Sequence, residues 1–385
     1  MNAKERMLAA LQGQVPDRLP VTTHHVMAYF LDTYVGGIST QAFFDHFGMD
    51  AILWTVPHKP GPSADEYPDP DQGEVGFLGS RRVASADWRV VEEEVPDTAY
   101  HTVRYRFLTP GGELSMVLQS DAYTTWVAEH LIKDNRDIDL IGQYATAPYC
   151  DVAAVNGQAA DFGNRGLVRG HICTFDVFGQ PGTWQDAACL VGIQKLILAT
   201  YDDPEWVHTL LRILQCRKVT YVRSLAGAAY DLLELGGGDA SSTVISPRIF
   251  DEYVAPYDSE LIALAHQAGQ RIAYHTCGGM MPLLERIADM NPDAMETFTP
   301  PDMGGDVDLA EAKRRIGERV CMIGGFDQFH FFTGCSPEET RAEVRCCFRA
   351  AGGGGGYILS PSDHFFDAQP ELVAAYADEA RRCVY

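Results

Sequence analysis

Short apolar segments alternate with helical sequence along most of the chain. Eight of these segments are predicted to be buried strands, and most are followed by a stretch with helical periodicity. The predicted strands cover residues 18–23, 50–56, 166–172, 230–235, 271–275, 293–297, 320–324 and 356–360. Alternating βα units with eight strands favour an α/β fold of the TIM type, a closed (β/α)8 barrel, over a doubly wound open sheet.

A different pattern separates the second and third predicted strands. Residues 77–120 alternate apolar and polar positions with a period of two, and they contain a Pro-Gly-Gly turn at 110–112. This alternation is typical of antiparallel strands joined by tight turns. We therefore predict a single barrel domain over residues 1–385, with an antiparallel β-hairpin or meander inserted at 77–120.

The amino-acid composition indicates a globular protein and argues against some kinds of partner. Hydrophobic residues make up 46% and charged residues 22% of the 385 positions, as in a globular protein. No run of about 18 apolar residues predicts a membrane span, and the first residues lack the apolar core of a secretion signal, so we expect a cytoplasmic protein. A net charge of −23 argues against nucleic acids and anionic membranes as partners. The ten irregularly spaced cysteines indicate free thiols rather than disulfides.

The most informative stretch is the end of the fifth predicted strand. The strand ends at His275, and Cys277 follows two positions later, before a glycine pair and the start of a helix. Imidazole nitrogen and thiolate sulfur are the two commonest zinc ligands, and this spacing allows both side chains to turn toward one point. The alternative interpretation is a buried cysteine packed beside a histidine of the core.

Polar residues also follow the other predicted strands, at positions that face the active site in a (β/α)8 barrel. The catalytic candidates are Glu234, Asp239 and Glu296. The substrate-binding candidates are His24, Tyr29, Trp54, His171 and Asp327. The metal-ligand candidates are His275, Cys277, Asp363 and His364. Because His24 and His25 are adjacent in the chain, we expect at most one of them to enter the pocket.

Several of these carboxylates have a second interpretation. Glu234 could bind the backbone amides of the glycine-rich loop that follows it, and Asp239 could cap that loop. Asp363 could cap a turn instead of binding a metal. Glu234, Asp239 or Glu296 could also supply a further metal ligand, or could orient His275 through a hydrogen bond.

Several segments in the chain resemble the uroporphyrinogen decarboxylase superfamily. They are residues 3–11 with 16–21, 245–253, 256–257, 275–278, 324–327 and 355–362. The segments have the order and spacing of that superfamily, and the resemblance covers nearly the whole chain. It implies a (β/α)8 barrel, in agreement with the strand count.

The superfamily has two main branches, which differ after the first strand. Decarboxylases carry an arginine-rich segment there, whereas residues 22–29 of this chain contain no arginine. The other branch consists of zinc methyltransferases that act with corrinoid proteins, such as coenzyme M methyltransferases and O-demethylating methyltransferases. Its His-x-Cys ligand pair matches His275 and Cys277, but its later cysteine ligand is absent from residues 360–364. We therefore expect an oxygen or nitrogen ligand there, from Asp363 or His364.

The resemblance implies a zinc-dependent methyltransferase. The enzyme would move a methyl group between a corrinoid protein and a small O-methyl or N-methyl compound, or a thiol. Its expected cofactors are zinc and a corrinoid carried on the separate partner protein. The alternatives are a metal-free lyase similar to uroporphyrinogen decarboxylase, and a barrel that binds a ligand without catalysis. The oligomeric state stays open, with a homodimer as one option.

Overall fold

The computed structural model describes residues 1–62, 65–68 and 82–385. Over these residues there are fifteen strands: β1 (Ala51–Trp54), β2 (His58–Lys59), β3 (Glu66–Pro68), β4 (Val83–Ser85), β5 (Arg89–Glu94), β6 (His101–Thr109), β7 (Gly112–Ser120), β8 (Thr125–Glu129), β9 (Tyr149–Cys150), β10 (Gly166–His171), β11 (Leu232–Gly236), β12 (Ile272–His275), β13 (Ala294–Thr297), β14 (Cys321–Phe326) and β15 (Tyr357–Pro361). Seven of them form one parallel sheet in the order β1-β10-β11-β12-β13-β14-β15. Each of the seven overlaps one of the predicted strands.

The first predicted strand connects the two edges of this sheet. Within residues 18–23 the structure forms one parallel bridge, between Val21 and Leu359 of β15. The carbonyl of Val21 also accepts a hydrogen bond of 2.7 Å from the amide of Asp50, directly before β1. The predicted α/β barrel is therefore confirmed, and its first strand is shorter than expected.

Helices follow most strands of the barrel. The described residues form α1 (Ala3–Leu11), α2 (Ala28–Tyr34), α3 (Thr40–Phe47), α4 (Asp137–Tyr144), α5 (Val152–Phe162), α6 (Thr183–Val191), α7 (Ile193–Asp202), α8 (Pro204–Arg223), α9 (Pro247–Ile249), α10 (Ala255–Gln267), α11 (Leu284–Asp289), α12 (Leu309–Ile316), α13 (Gln328–Phe331), α14 (Pro337–Cys347) and α15 (Pro370–Arg382). A capping box formed by Asn2 and Glu5 satisfies the first amides of α1. The same arrangement of Ser336 and Glu339 begins α14.

Helix α1 fills the amino-terminal end of the barrel. Its side chains Met7, Ala10 and Leu11 are buried against inward-facing residues near the starts of the strands. Those residues are Leu167, Leu232, Ala273, Ala294, Cys321, Ile323 and Ile358. Because side chains alternate along a strand, the next inward positions lie two residues farther toward the carboxyl end. On β10 to β13 these positions hold the charged residues of the candidate site.

Antiparallel strands lie between β1 and β10 in the chain. Strands β5, β6, β7 and β8 form a four-stranded sheet, and β6 pairs with β7 from His101↔Ser120 to Thr109↔Gly112. Residues 77–81 of the predicted insertion lie outside the described residues, and the sheet continues to Glu129, past the predicted end at 120. The assignment of this segment as an insertion within one barrel domain stays a prediction.

Two expectations from the composition concern membrane spans and disulfide bonds. In the part of the chain that the structure describes, none of the helices is both long enough and apolar enough to cross a membrane. All ten cysteines are free, which agrees with the interpretation as thiols rather than a disulfide framework.

Candidate metal centre

Four side chains with metal-binding atoms converge at the carboxyl end of the barrel. They belong to His24, Glu234, His275 and Glu296, and their ligand atoms all lie within 4.8 Å of one another. The last three residues occupy inward positions on the adjacent strands β11, β12 and β13. His24 joins them from the loop that follows Val21. Two imidazoles and two carboxylates form a donor set that suits zinc.

Short polar contacts hold the four side chains together. Nε2 of His24 lies 2.8 Å from Oε2 of Glu234 and 3.4 Å from Oε1 of Glu296. Nδ1 of His275 lies 3.4 Å from the same Oε1 of Glu296. The strand register explains the contact between His275 and Glu296, because these residues are paired positions of β12 and β13. The ring centroids of the two histidines are 5.0 Å apart, so one ion between them could contact both.

A buried arginine that the sequence analysis did not identify completes the cluster. Arg169, on β10, has 1% of its surface exposed. Its Nη1 and Nη2 atoms each donate to one oxygen of Glu296, both at 3.0 Å, and its guanidinium lies 4.6 Å from the ring centroid of Trp54. The sequence contained a usable signal, since an arginine inside an apolar strand would be costly to bury without a charged partner.

The charges of the cluster stabilise one another. Burial alone would lower the pKa of His24 and of His275, but the carboxylates of Glu296 and Glu234 outweigh burial and raise both pKa values. Burial opposes the negative charge of Glu296 as well, yet Arg169 and His24 hold the pKa of that carboxyl well below its usual range. The pKa of Glu234 is also lowered, by His24 and His275 against burial. These charges favour ionised carboxylates beside protonated imidazoles, and a bound metal ion would replace the imidazole protons.

Of the histidine pair after Val21, His24 belongs to the cluster and lines the adjoining cavity, and His25 lies next to it. The ring centroids of His24 and His25 are 4.1 Å apart, and His25 stacks on Trp54 at 4.4 Å. The indole nitrogen of Trp54 donates to the carbonyl oxygen of His24 at 2.8 Å. Burial and the nearby positive charge of His24 lower the pKa of His25.

Of the four predicted metal ligands, His275 belongs to the cluster and the other three lie beside it. Cys277 is half-buried, and its sulfur lies against the loop after β11, where a Cβ atom added to Gly238 would be only 2.7 Å from it. Asp363 and His364 pair with each other, with Oδ1 and Nδ1 2.8 Å apart. The hydrogen bond from His364 and the charges of His275 and His24 lower the pKa of Asp363 despite its burial. The role of these three residues in metal binding stays a prediction.

His171 and Asp239 lie near the cluster without joining it. His171 is buried, its Nδ1 is 2.7 Å from the carbonyl oxygen of Ile172, and burial lowers its pKa. Asp239 accepts a hydrogen bond of 2.7 Å from Nε2 of Gln185, and its own amide donates to the amide oxygen of Gln185. Burial raises the pKa of Asp239. A catalytic role of Asp239 stays a prediction.

Tyr29 and Asp327 have local contacts of other kinds. The hydroxyl of Tyr29 lies 3.3 Å from that of Tyr123, which follows β7. The antiparallel sheet thereby contacts α2 at the barrel rim. Asp327 caps α13, since its side chain accepts a hydrogen bond of 2.9 Å from the amide of His330. Substrate binding by either residue stays a prediction.

A small cavity adjoins the cluster, with room for about one water molecule. Its lining residues are Thr22, His24, Ile52, Arg169, Glu296, Thr297, Ile323, Ser360, Pro361 and Ser362. Among the described residues, Oγ1 of Thr22, Oγ of Ser362 and Nε of Arg169 are buried atoms without a hydrogen-bond partner.

Comparison with known proteins places this site within a protein family. The family model described as uroporphyrinogen decarboxylase (URO-D) matches residues 179–383, which is more than half of the chain. The match includes Glu234, His275 and Glu296 and begins after His24 and Arg169. A methyltransferase from Methanosarcina mazei has a similar structure, with a TM-score of 0.62 and 15% identity over 99% of each chain. At this identity the likeness shows the fold.

Curated relatives match a smaller part of the chain. The uroporphyrinogen decarboxylase of Psychromonas ingrahamii is 27% identical over 191 residues, which are 48% of this chain and 50% of that protein. The uroporphyrinogen decarboxylase of Thioalkalivibrio sulfidiphilus is 28% identical over 190 residues, which are 47% of this chain and 50% of that protein. The chain thus spans about half the length of the curated relatives it matches.

Proposed function

We propose, from the premise that this chain belongs to the uroporphyrinogen decarboxylase family, that it is a zinc-dependent methyltransferase acting with a corrinoid protein. The observation that carries the proposal is the convergence of four ligand atoms within 4.8 Å at the carboxyl end of the barrel. That end is where enzymes with this fold carry out their chemistry. The substrate would be a small O-methyl or N-methyl compound, or a thiol as methyl acceptor.

The residues present fit a zinc ion. His24, Glu234, His275 and Glu296 offer nitrogen and oxygen donors that zinc accepts, and the last three are at most 9% exposed. Cys277 follows His275 by two positions in the chain and is half-buried, so a sulfur atom is also near the site. When bound, zinc supplies a Lewis acid that stabilises charge on the heteroatom losing or accepting the methyl group, and the partner's corrinoid carries that group.

The protein's own residues prepare the site for this chemistry. Arg169 fixes Glu296 through two hydrogen bonds, so one carboxylate has a defined position before any ligand binds. Trp54 supports Arg169 from one face and holds the backbone of His24 through its indole nitrogen. Such fixed dipoles and charges need no rearrangement when charge develops on a substrate, which is the main source of electrostatic catalysis.

The charges at the site disfavour the decarboxylation of a substrate with many carboxylates. Such a substrate needs several free cationic side chains, whereas the arginine of the cluster is already paired with Glu296. Arg18, at the first predicted strand, donates to Asp50 at the opposite end of the barrel. Glu234 and Glu296 would repel further carboxylates at close range. The zinc methyltransferase therefore agrees better with the site.

A metal-free decarboxylase of a smaller acid is the second candidate. The names of the curated relatives favour it, at 27% and 28% identity over about half of the chain. Arg169 would then serve one carboxylate of the substrate after Glu296 moved away. This candidate predicts that the wild-type protein binds no zinc tightly. A barrel that binds a ligand without catalysis is a third option, for which we find no supporting feature.

The test is a metal analysis followed by a methyl-transfer assay. Protein purified without a metal-affinity tag should contain about one zinc ion per chain, and the His275→Ala variant should contain almost none. The matched control is His208→Ala, because His208 contacts Tyr257 on the outer helices. The wild-type protein should also exchange methyl groups with free cobalamin. Absence of zinc from folded wild-type protein, even after incubation with zinc, would reject the proposal.

A further inference from the structure

The two carboxylates of the cluster have different surroundings, and the difference is caused by Arg169. Glu296 accepts a hydrogen bond from the guanidinium at each of its oxygens, both at 3.0 Å. Oε2 of Glu234 lies 3.9 Å from Nη2 of Arg169, which is beyond hydrogen-bond distance. Glu234 instead contacts Nε2 of His24 at 2.8 Å. One carboxylate is therefore bound by an arginine and the other faces a histidine.

We propose that Arg169 is a positioning residue that reserves Glu296 as an outer hydrogen-bond partner of His275 and leaves Glu234 as the carboxylate ligand of the metal ion. This inference rests on the proposed metal centre. It assigns His24, Glu234 and His275 as the three protein ligands. Two histidines and one glutamate with an open fourth position are a known arrangement of catalytic zinc.

The contacts of Glu296 support its role as a hydrogen-bond partner of a ligand, as opposed to a metal ligand itself. A carboxylate has about four acceptor positions on its two oxygens. Oε1 of Glu296 already faces Nη2 of Arg169 at 3.0 Å and the histidine nitrogens of His24 and His275 at 3.4 Å each. Oε2 faces Nη1 of Arg169. A metal ion at either oxygen would have to compete with the guanidinium for the same lone pairs.

The burial of Arg169 makes this arrangement rigid. Its side chain is 2% exposed, and Trp54 covers one face of the guanidinium at 4.6 Å. Arg169 and Glu296 also lie on β10 and β13, which are three positions apart in the sheet order, with β11 and β12 between them. The bidentate pair therefore crosses the inside of the barrel. A hydrogen bond from a carboxylate to a ligating histidine is the usual way in which metal sites fix the ring, and Glu296 is placed to do this for His275.

The experiment compares zinc affinities in two backgrounds, measured by competition with a chromophoric chelator. In the otherwise wild-type protein, Glu296→Gln should weaken zinc binding by about 10- to 100-fold, as loss of an outer partner does. Glu234→Gln should weaken it by more than about 100-fold, because it removes a ligand. In the Arg169→Met background, the guanidinium no longer holds Glu296. The zinc affinities of the Glu296→Gln and Glu234→Gln variants should then differ by less than about 3-fold, which is within the usual context dependence of such effects.

Several controls separate this result from a general loss of structure. Arg217→Met removes another buried arginine, which is paired with Asp176 at 2.6 Å on a different part of the molecule. In this background Glu234→Gln should still weaken zinc binding more than Glu296→Gln. If Arg169→Met does not fold, Arg169→Lys keeps a cation without the two-pronged contact and provides the same comparison. A larger loss with Glu296→Gln than with Glu234→Gln, or a gap that persists without Arg169, would overturn the inference. Failure of the wild-type protein to bind zinc would instead reject the proposed function.

Discussion

Nε2 of His24 lies 2.8 Å from Oε2 of Glu234, although 210 positions separate these residues in the chain. The contact exists because Val21 joins β15 to the segment before β1 and brings the loop after it over the barrel. His24 thereby faces strands that are far away in sequence. The candidate metal centre consequently depends on closure of the barrel as well as on the His-x-Cys sequence at 275–277.

His24→Ala should remove zinc from the protein. The substitution deletes one of four converging ligand groups, so we expect zinc affinity to fall by more than the roughly 10- to 100-fold typical of an outer partner. His266→Ala is the matched control, since His266 pairs with Asp293 at 2.9 Å and is partly exposed on α10. Zinc content and chelator competition provide the measurement. Equal affinities of the two variants would exclude His24 from the ligand set.

Cys277→Ser should leave about one zinc ion per chain. The sulfur of Cys277 lies against Gly238 and outside the group of converging ligand atoms. X-ray absorption of the zinc-loaded wild-type protein should therefore show scatterers at about 2.0–2.2 Å, as for nitrogen and oxygen, and no sulfur at about 2.3 Å. Cys335→Ser is the control for handling a free thiol. A sulfur shell that disappears in Cys277→Ser would restore the ligand pair predicted from the sequence.

Asp50→Asn should destabilise the barrel without emptying the metal site. Asp50 is 1% exposed and accepts hydrogen bonds from Arg6 at 2.7 Å, Arg18 at 3.0 Å and the amide of Val21 at 3.0 Å. Removing one partner of a buried ion pair costs about 3–5 kcal/mol. Urea unfolding would measure the loss. Asp17→Asn should cost about 1 kcal/mol or less, because Asp17 contacts Arg6 from an exposed position; similar losses for both variants would contradict the role of Asp50 in barrel closure.

The stability of the protein should depend on pH through Asp258. Burial raises the pKa of this carboxyl to about 6, despite hydrogen bonds from the amide of Thr183 and the hydroxyl of Tyr274. Because the folded protein binds this proton more tightly than the unfolded chain, the protonated group favours folding at low pH. That contribution is fully present below about pH 4 and is lost as the pH rises through about 6.

Asp258→Asn would remove this dependence. Its unfolding free energy relative to the wild type should increase by about 3 kcal/mol between pH 4 and pH 7. Urea unfolding of both proteins across this range is the measurement. A constant difference between them at all pH values would show that Asp258 does not titrate in the folded protein within this range.

Much of the fold could be predicted because its signals are local. Apolar runs of strand length, each followed by helical periodicity, identify the strands of the barrel, and seven of them appear in the sheet at nearly the predicted positions. The segment at 18–23 shows the limit of this approach. Its sequence is compatible with a strand, but Pro20 lacks an amide hydrogen, and only Val21 forms a bridge.

The candidate site was harder to predict from the sequence because its contacts join distant parts of the chain. The position of His275 at a strand end was predicted, since strand ends of a barrel face the site. The pairing of Arg169 with Glu296 spans 127 positions, and no spacing in the sequence indicates it. The orientations of Cys277 and Asp363 depend on loop geometry that residue types do not determine.

Helix α1 has a consequence for the order of events during turnover. With Met7, Ala10 and Leu11 packed inside the amino end, the barrel has a blind end. Under the proposed function, the small substrate and the partner protein would share the remaining opening. We therefore expect a compulsory order, in which the substrate enters first and leaves only after the partner has dissociated. Excess partner should slow exchange of a labelled substrate in proportion to its occupancy. Exchange that is unaffected by saturating partner would indicate a second route into the barrel.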